Sequence, residues 1–196
     1  MTQAILFLDI DGVIATSRAK LATGNLIDPV AVGILRKIVL STGCRIVVTS
    51  TWRSSADTCQ NLFTSHGLQD ALWSPIGNQQ GDWCIADGPR SMAIREWLDV
   101  HPDITDWAIL DDMLADFDQL QLSRLVHVDD RYGLGPADYS RAVRLLSGAT
   151  MGQTIAHAPR QTLAAQAQAA LDAIDQGDQD SAIILLQLIK DHPLAQ

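Results

Sequence analysis

Asp9 and Asp11 are the residues of this sequence whose type and spacing most directly indicate chemistry. They follow a short apolar run over residues 4–8 and precede Gly12. Two carboxylates this close at a strand end can serve one divalent cation and one substrate, and their hard oxygen atoms suit Mg²⁺. One carboxylate can attack phosphorus to form an aspartyl-phosphate, while the other transfers protons. Gly12 permits the tight turn that points the second carboxylate back toward the first.

A plain turn and a calcium-binding loop are the other interpretations of this Asp-x-Asp-Gly segment. An EF-hand loop needs further acidic ligands at alternate positions and a Glu at the twelfth position. Ile14, Ala15 and Lys20 occupy that region instead. The sequence therefore argues against calcium, and a plain turn stays an alternative until the residues that the fold brings alongside are considered.

The elements that must position these carboxylates alternate between buried strands and amphipathic helices. Strands are predicted at residues 4–8, 45–50, 107–110 and 124–128, and helices at about 29–42, 55–66, 90–100 and 136–146. This alternation predicts an α/β fold with a parallel sheet and right-handed crossovers. Polar residues follow three of the strands, namely Asp9, Thr49 with Ser50, and Asp111 with Asp112. Because ligands bind at the carboxyl edge of such sheets, these distant segments are expected to form one site.

Four segments are similar to the sequence motifs of the haloacid dehalogenase (HAD) superfamily, over about residues 4–147. In chain order they are Asp9-Ile-Asp11-Gly-Val, Val47-Val48-Thr49-Ser50, Arg90 at a helix start, and Leu110-Asp111-Asp112. Within the superfamily, the chain most resembles the HAD domain of bacterial RNA-repair (Swiss Army Knife) proteins. That similarity rests on Thr49-Ser-Thr-Trp52-Arg53, Trp107-Ala-Ile-Leu-Asp111-Asp112 and the late Gly133-Leu134.

The resemblance implies a Rossmann-like three-layer sandwich with a mainly parallel central sheet and no large cap domain. It implies that Asp9 is the nucleophile and a Mg²⁺ ligand. Asp11 is then the general acid/base and binds the metal through its backbone carbonyl. Asp111 and Asp112 are expected to complete the Mg²⁺ site, with Asp111 as a direct ligand and Asp112 as a ligand or a partner of one.

The resemblance also implies a set of phosphate-binding residues. Either Thr49 or Ser50 is expected to hydrogen-bond a phosphoryl oxygen, since either could end the strand. Arg53 is expected to clamp the phosphate with its guanidinium, with simple surface exposure as the alternative. Arg90 stands where the superfamily usually has Lys, and a planar fork is not a point charge, so Arg95 is a second candidate.

The substrate class follows from how little chain is available to cover the site. Residues 13–28 leave room only for a short flap, and residues 67–89 are too short for a cap domain. An open site suits a nucleotide or an exposed terminal phosphate of a polynucleotide, and Trp52 either stacks on a base or packs under the loop. The net charge of −9 argues against extended contacts with a nucleic acid.

Two alternatives to an active phosphomonoesterase are a phosphate-binding module of the same fold and a receiver domain. Arg90 and the missing cap favour the binding module, which would bind Mg²⁺ and phosphate without efficient turnover. A receiver domain carries its phospho-acceptor on a strand distinct from its acidic pair, whereas the first strand here already ends in Asp-x-Asp.

Composition and the C-terminal part of the chain give expectations for domain organisation and cellular location. The predicted organisation is a catalytic core over residues 1–148, a linker over 149–159 and a helical extension over 160–196, which is a candidate homodimer interface. Three cysteines without metal-ligand spacing indicate a reducing compartment. No membrane segment is evident, so a cytoplasmic protein is expected.

Overall fold

A computed structural model describes residues 3–74, 76 and 82–148 of the 196-residue chain. The predicted linker at 149–159 and helical extension at 160–196 lie outside the described residues. Four strands are present: β1 (Ile5–Leu8), β2 (Arg45–Val48), β3 (Trp107–Asp111) and β4 (Leu125–His127). Six α-helices are described: α1 (Ser17–Thr23), α2 (Pro29–Thr42), α3 (Ala56–Ser65), α4 (Arg90–Asp99), α5 (Gln119–Arg124) and α6 (Pro136–Leu146).

The strands form one sheet in the order β2-β1-β3-β4, and every pairing between them is parallel. All four residues of β1 are buried, as expected for a central strand whose two faces are both covered. The predicted parallel α/β fold is therefore confirmed. The segment near Leu72 adds only an isolated parallel bridge to Ile46.

Helices cover both faces of the sheet and make three layers. On one face, Ile94 and Trp97 of α4 pack with Phe7 of β1 in a cluster of buried apolar and aromatic side chains. The ring of Phe7 meets that of Trp97 edge-on at 5.4 Å. Side chains alternate along a strand, so Leu6 and Leu8 face the other side. There α2 packs against α6, which in turn contacts β3 and β4.

Local sequence accounts for where the main helices begin and end. The Asp28 carboxylate caps α2 by accepting hydrogen bonds from the backbone N–H groups of Val30 and Ala31, and Pro29 follows at the first helical position. Gly43 ends α2 in the left-handed conformation, at φ 65°. Among the described residues, no helix is long and apolar enough to cross a membrane.

Two helices were not expected from the sequence, α1 within the flap and α5 before β4. Both are short, at seven and six residues, and so depend on capping and packing more than on periodicity. Thr16 caps α1 by accepting from Ala19 N–H. Asp118 and Gln121 form a reciprocal capping box at the start of α5.

Candidate active site

The carboxyl ends of β1, β2 and β3 meet at one edge of the sheet. Leu8 is paired with Val48 on one side and with Leu110 on the other, so the residues that follow all emerge together. The pairing continues past the strands, since Asp9 N–H donates to the Leu110 carbonyl at 3.0 Å. The expectation that these segments converge is met by the strand register.

Three carboxylates cluster at this edge. One oxygen from each of Asp9, Asp111 and Asp112 lies within 4.8 Å of the others. Asp9 and Asp111 are buried, and Asp112 is half-buried. Burying like charges this close is costly without a positive charge among them, and hard oxygen donors suit a divalent cation such as Mg²⁺. The donor set therefore fits the metal that the sequence predicts.

Arg90 supplies a fixed positive charge to the same cluster. It is the first residue of α4, and its Nη1 atom lies 3.1 Å from Asp9 Oδ2 and also donates to Asp111 Oδ2. The same nitrogen is 3.8 Å from Asp116 Oδ2. The same nitrogen makes the closest contact with all three carboxylates, so the guanidinium acts here more as a point charge than as a fork.

Arg95 does not share this position. Its side chain is 60% exposed and pairs with Asp118, the residue that caps α5. The two arginines point about 140° apart around α4, since five residues correspond to about 500° of rotation. Of the two candidates for the position usually held by Lys, Arg90 is therefore the one that contacts Asp9.

The pKa values of Asp9 and Asp111 are higher than is usual for aspartate. Burial raises the pKa of Asp111 to about 7, with the charge of Asp9 acting in the same direction and Arg90 opposing both. Burial also raises the pKa of Asp9, against the lowering effects of Arg90, the Ile10 N–H and a hydrogen bond from Ser50. The cluster thus stores electrostatic repulsion that a bound cation would relieve.

We expect the metal-free protein to lose stability as the pH rises from about 4 to about 7. An Asp in an unfolded chain titrates near ~3.9, so in this window the native state keeps a proton on Asp111 that the unfolded state has released. Urea unfolding in EDTA at a series of pH values would measure the slope. In Asp111→Asn the slope should be shallower, and a wild-type stability that increases from pH 5 to pH 8 would contradict the assignment.

Asp11 lies apart from the three clustered carboxylates. It is exposed, and its Oδ2 accepts a hydrogen bond of 2.9 Å from Trp52 Nε1. The chain turns directly after it at Gly12, which has φ 71° and whose N–H donates to the Ala15 carbonyl. The Asp11 carboxylate is thus not part of the cluster of three carboxylates. Within the described residues, its side-chain hydrogen bond is the one from the Trp52 indole.

The two hydroxyl groups after β2 have different surroundings. The hydroxyl of Ser50 is near enough to Asp9, the expected nucleophile, to help lower the pKa of its carboxyl. Thr49 is fully buried, and within the described part of the chain its hydroxyl oxygen has no hydrogen-bond partner. Which of the two hydroxyl groups binds a phosphoryl oxygen stays a prediction.

Arg53 is engaged with the backbone of its own turn. Its Nη1 donates to the carbonyls of Thr49 and Ser50, each at 2.9 Å, and Nη2 lies 3.6 Å from Asp87. These contacts stabilise the turn that presents Ser50. The phosphate-clamping role predicted for Arg53 stays a prediction. Because Nη1 is bonded to the two carbonyls, a phosphate would have to be bound by the other nitrogens of the guanidinium.

The flap between β1 and α2 is anchored through Asp28, the residue that caps α2. Asp28 Oδ2 accepts from both Thr16 and Arg18, so the cap of α2 also holds the start of the flap helix. Leu134 N–H donates to the Val13 carbonyl. The spacing of 12 residues between Thr16 and Asp28 carries no periodic signal, so only the fold reveals this anchor.

A parallel three-layer α/β domain with clustered carboxylates at its carboxyl edge, and a half-buried arginine beside them, defines a HAD-like domain. The family model described as "HAD domain in Swiss Army Knife RNA repair proteins" matches residues 5–139, and the chain belongs to this family. The predicted family is therefore confirmed. No curated protein matches the chain, and no solved structure does. Membership indicates a hydrolase or phosphatase activity in general.

Proposed function

We propose that the chain is a Mg²⁺-dependent phosphomonoesterase that works through an aspartyl-phosphate at Asp9. The observation that carries this proposal is the cluster of Asp9, Asp111 and the half-buried Asp112, in which Arg90 Nη1 contacts both Asp9 and Asp111. Stability alone does not explain a cluster of this kind, because replacing buried charges by apolar residues often leaves the free energy of unfolding unchanged or increases it. Perturbed, buried charges in such a cluster are typical of functional sites.

In the first half of the reaction, a carboxylate oxygen of Asp9 attacks phosphorus. The new O–P bond forms as the bond from phosphorus to the leaving oxygen breaks, and the carboxylic acid of Asp11 gives its proton to that oxygen. In the second half, water attacks the phosphorus and gives a proton to the Asp11 carboxylate. The bond between Asp9 and phosphorus breaks, which releases inorganic phosphate and restores both residues.

Mg²⁺ would be held by Asp9, Asp111 and Asp112, together with the backbone carbonyl of Asp11. When bound, it supplies positive charge that draws the anionic phosphoryl group to the Asp9 carboxylate and balances the charge that develops there. Arg90 contributes a second positive charge from the protein itself, and Ser50 or Thr49 offers a hydroxyl to a phosphoryl oxygen.

Gly12→Ala tests the role of Asp112 in holding the metal. A Cβ atom at position 12 would lie 2.5 Å from both Cγ and Oδ2 of Asp112, so the carboxylate must move. We expect the affinity for Mg²⁺ to fall by about tenfold or more, measured by calorimetric titration. The matched control is Gly43→Ala, which has the same left-handed backbone (φ 65°) but nothing within 4 Å. Equal losses in both variants would count against Asp112.

The substrate proposed for this site is a nucleotide or the terminal phosphate of a polynucleotide. The flap over residues 13–28 contains only the seven-residue helix α1, and a short flap suits a phosphate on a larger molecule. The name of the family refers to RNA repair, which favours a polynucleotide end. The net charge of −9 favours contacts restricted to the end rather than along a strand.

The experiment that tests the proposal is phosphate release from a panel of phosphomonoesters, with Mg²⁺ and with EDTA. The panel contains p-nitrophenyl phosphate, nucleoside 5′- and 3′-monophosphates, and oligonucleotides phosphorylated at either end. Metal-dependent release supports the proposal, and the preferred ester distinguishes a nucleotide from a polynucleotide end. Binding of Mg²⁺ and inorganic phosphate without any release would instead favour the phosphate-binding module.

A further inference from the structure

We propose that Trp52 is a positioning residue for Asp11, and that its indole N–H holds the carboxyl group in the orientation needed for proton transfer. This inference rests on the proposed function. Trp52 is half-buried at the mouth of the site, and its only polar side-chain atom lies 2.9 Å from Asp11 Oδ2. The two residues are 41 positions apart, so the contact is a product of the fold.

Asp11 needs such a partner because its own surroundings hold it weakly. The residue is exposed and follows the strand rather than belonging to it. An exposed Asp side chain rotates among several orientations, and only some of them bring an oxygen to the leaving group. Asp9, by contrast, is buried and receives the Ile10 N–H and the Arg90 charge. The acid/base residue therefore depends on a hydrogen bond from outside its own segment.

Trp52 is well suited to this task because its backbone is fixed by the same turn that forms the phosphate-binding region. It lies in the 3₁₀ helix Thr51–Ser54, and its N–H donates to the Ser50 hydroxyl oxygen. Arg53 binds two carbonyls of this turn. One rigid turn thus presents the Ser50 hydroxyl to Asp9 and the Trp52 indole to Asp11.

The chemistry of the indole group favours one position for the proton on Asp11. Indole N–H is a donor only, so the Asp11 oxygen that it contacts must act as an acceptor. The carbonyl oxygen of a carboxylic acid is a stronger acceptor than its hydroxyl oxygen, so protonated Asp11 carries its proton preferentially on Oδ1 while Oδ2 accepts from Trp52. The proton on Oδ1 is then the one that passes to the leaving oxygen as the phosphorus–oxygen bond breaks.

The test compares Trp52→Phe with wild type on two esters that differ in their need for an acid. A nucleoside monophosphate releases a basic alkoxide that must be protonated, whereas p-nitrophenyl phosphate releases a stable phenolate. We expect kcat/KM to fall by about tenfold on the nucleotide, as for loss of a charge-assisted hydrogen bond, and by much less on the nitrophenyl ester. The ratio kcat/KM is used because it reports the steps up to departure of the leaving group.

Two further variants separate positioning from a structural role or base stacking. Trp52→Phe in an Asp11→Asn background should cause little additional loss on the nucleotide, because the two residues act as a unit. Trp52→His, which keeps a ring N–H, should recover part of the activity. The matched control is Trp97→Phe, since Trp97 Nε1 is buried without a hydrogen-bond partner among the described residues, and this variant should not change the ratio between the esters.

The outcomes distinguish this inference from the proposed function. Equal losses on both esters, or additive losses in the double variant, would overturn the positioning role while leaving the phosphomonoesterase intact. A raised KM for the nucleotide with kcat unchanged would likewise overturn it in favour of stacking. No turnover by wild type on either ester would overturn the proposed function itself, and with it this inference.

Discussion

Asp9→Asn is expected to reduce Mg²⁺-dependent phosphate release by about 10³-fold or more, because an amide oxygen is a far weaker nucleophile toward phosphorus than a carboxylate. The measurement is single-turnover phosphate release on the best ester of the panel. Trapping of a ³²P-labelled protein with wild type, and its absence with Asp9→Asn, would identify the covalent intermediate.

The matched control for this variant is Asp103→Asn, which makes the same chemical change at an exposed loop position. It should leave turnover unchanged. Circular dichroism should show that Asp9→Asn is folded. The amide has nearly the same shape as the carboxylate, and the substitution removes one negative charge from the crowded cluster. Turnover within tenfold of wild type in Asp9→Asn would exclude Asp9 as the nucleophile and would direct attention to Asp111 or Asp112.

Arg90→Met is expected to lower the free energy of unfolding of the metal-free protein by about 3 kcal/mol at pH 8. The substitution leaves Asp9 and Asp111 buried side by side without the cation that contacts both. Repulsion between them should then be relieved by protonation or by unfolding. Turnover should also fall, because the fixed charge beside the nucleophile is lost. Urea unfolding in EDTA measures the first effect, and phosphate release with Mg²⁺ measures the second.

Arg90→Lys distinguishes a point charge from a bidentate clamp. The closest contacts of Arg90 with the carboxylates are all made by Nη1, so a single ammonium group should preserve most of the stability and much of the activity. Mg²⁺ should stabilise Arg90→Met more than wild type, since the metal supplies positive charge to the same oxygens. The control is Arg95→Met, which removes an exposed pair and should change both measurements little. A fully stable Arg90→Met would contradict the neutralising role.

The two variants together test one physical account of the site. Asp9 must be ionised to attack, yet burial raises its pKa. Arg90, the Ile10 N–H and Ser50 all act against that burial and favour the anion. If Asp9→Asn removes turnover while Arg90→Met weakens both folding and turnover, then the cluster is an active site whose electrostatic strain is part of its chemistry.

The sequence by itself determined the architecture and the acidic part of the site. Buried strands are apolar on both faces, so residues 5–8, 45–48 and 107–110 are recognisable as runs, and an Asp before Pro29 marks a helix start. Parallel strands place their carboxyl ends at one edge, so polar residues after three strands had to converge. That rule needs only the order of strands and helices, which local sequence encodes.

Only the tertiary structure decided which side chains meet around those carboxylates. Arg90 and Arg95 lie on one helix and are chemically identical, and the orientation of α4 on the sheet brings the first to Asp9 and leaves the second exposed. The contact between Trp52 and Asp11 likewise joins segments that no periodicity relates. Sequence patterns report which face of an element is buried, but a hydrogen bond between distant segments requires their relative placement to within a few tenths of an ångström. Packing of the whole domain sets that placement.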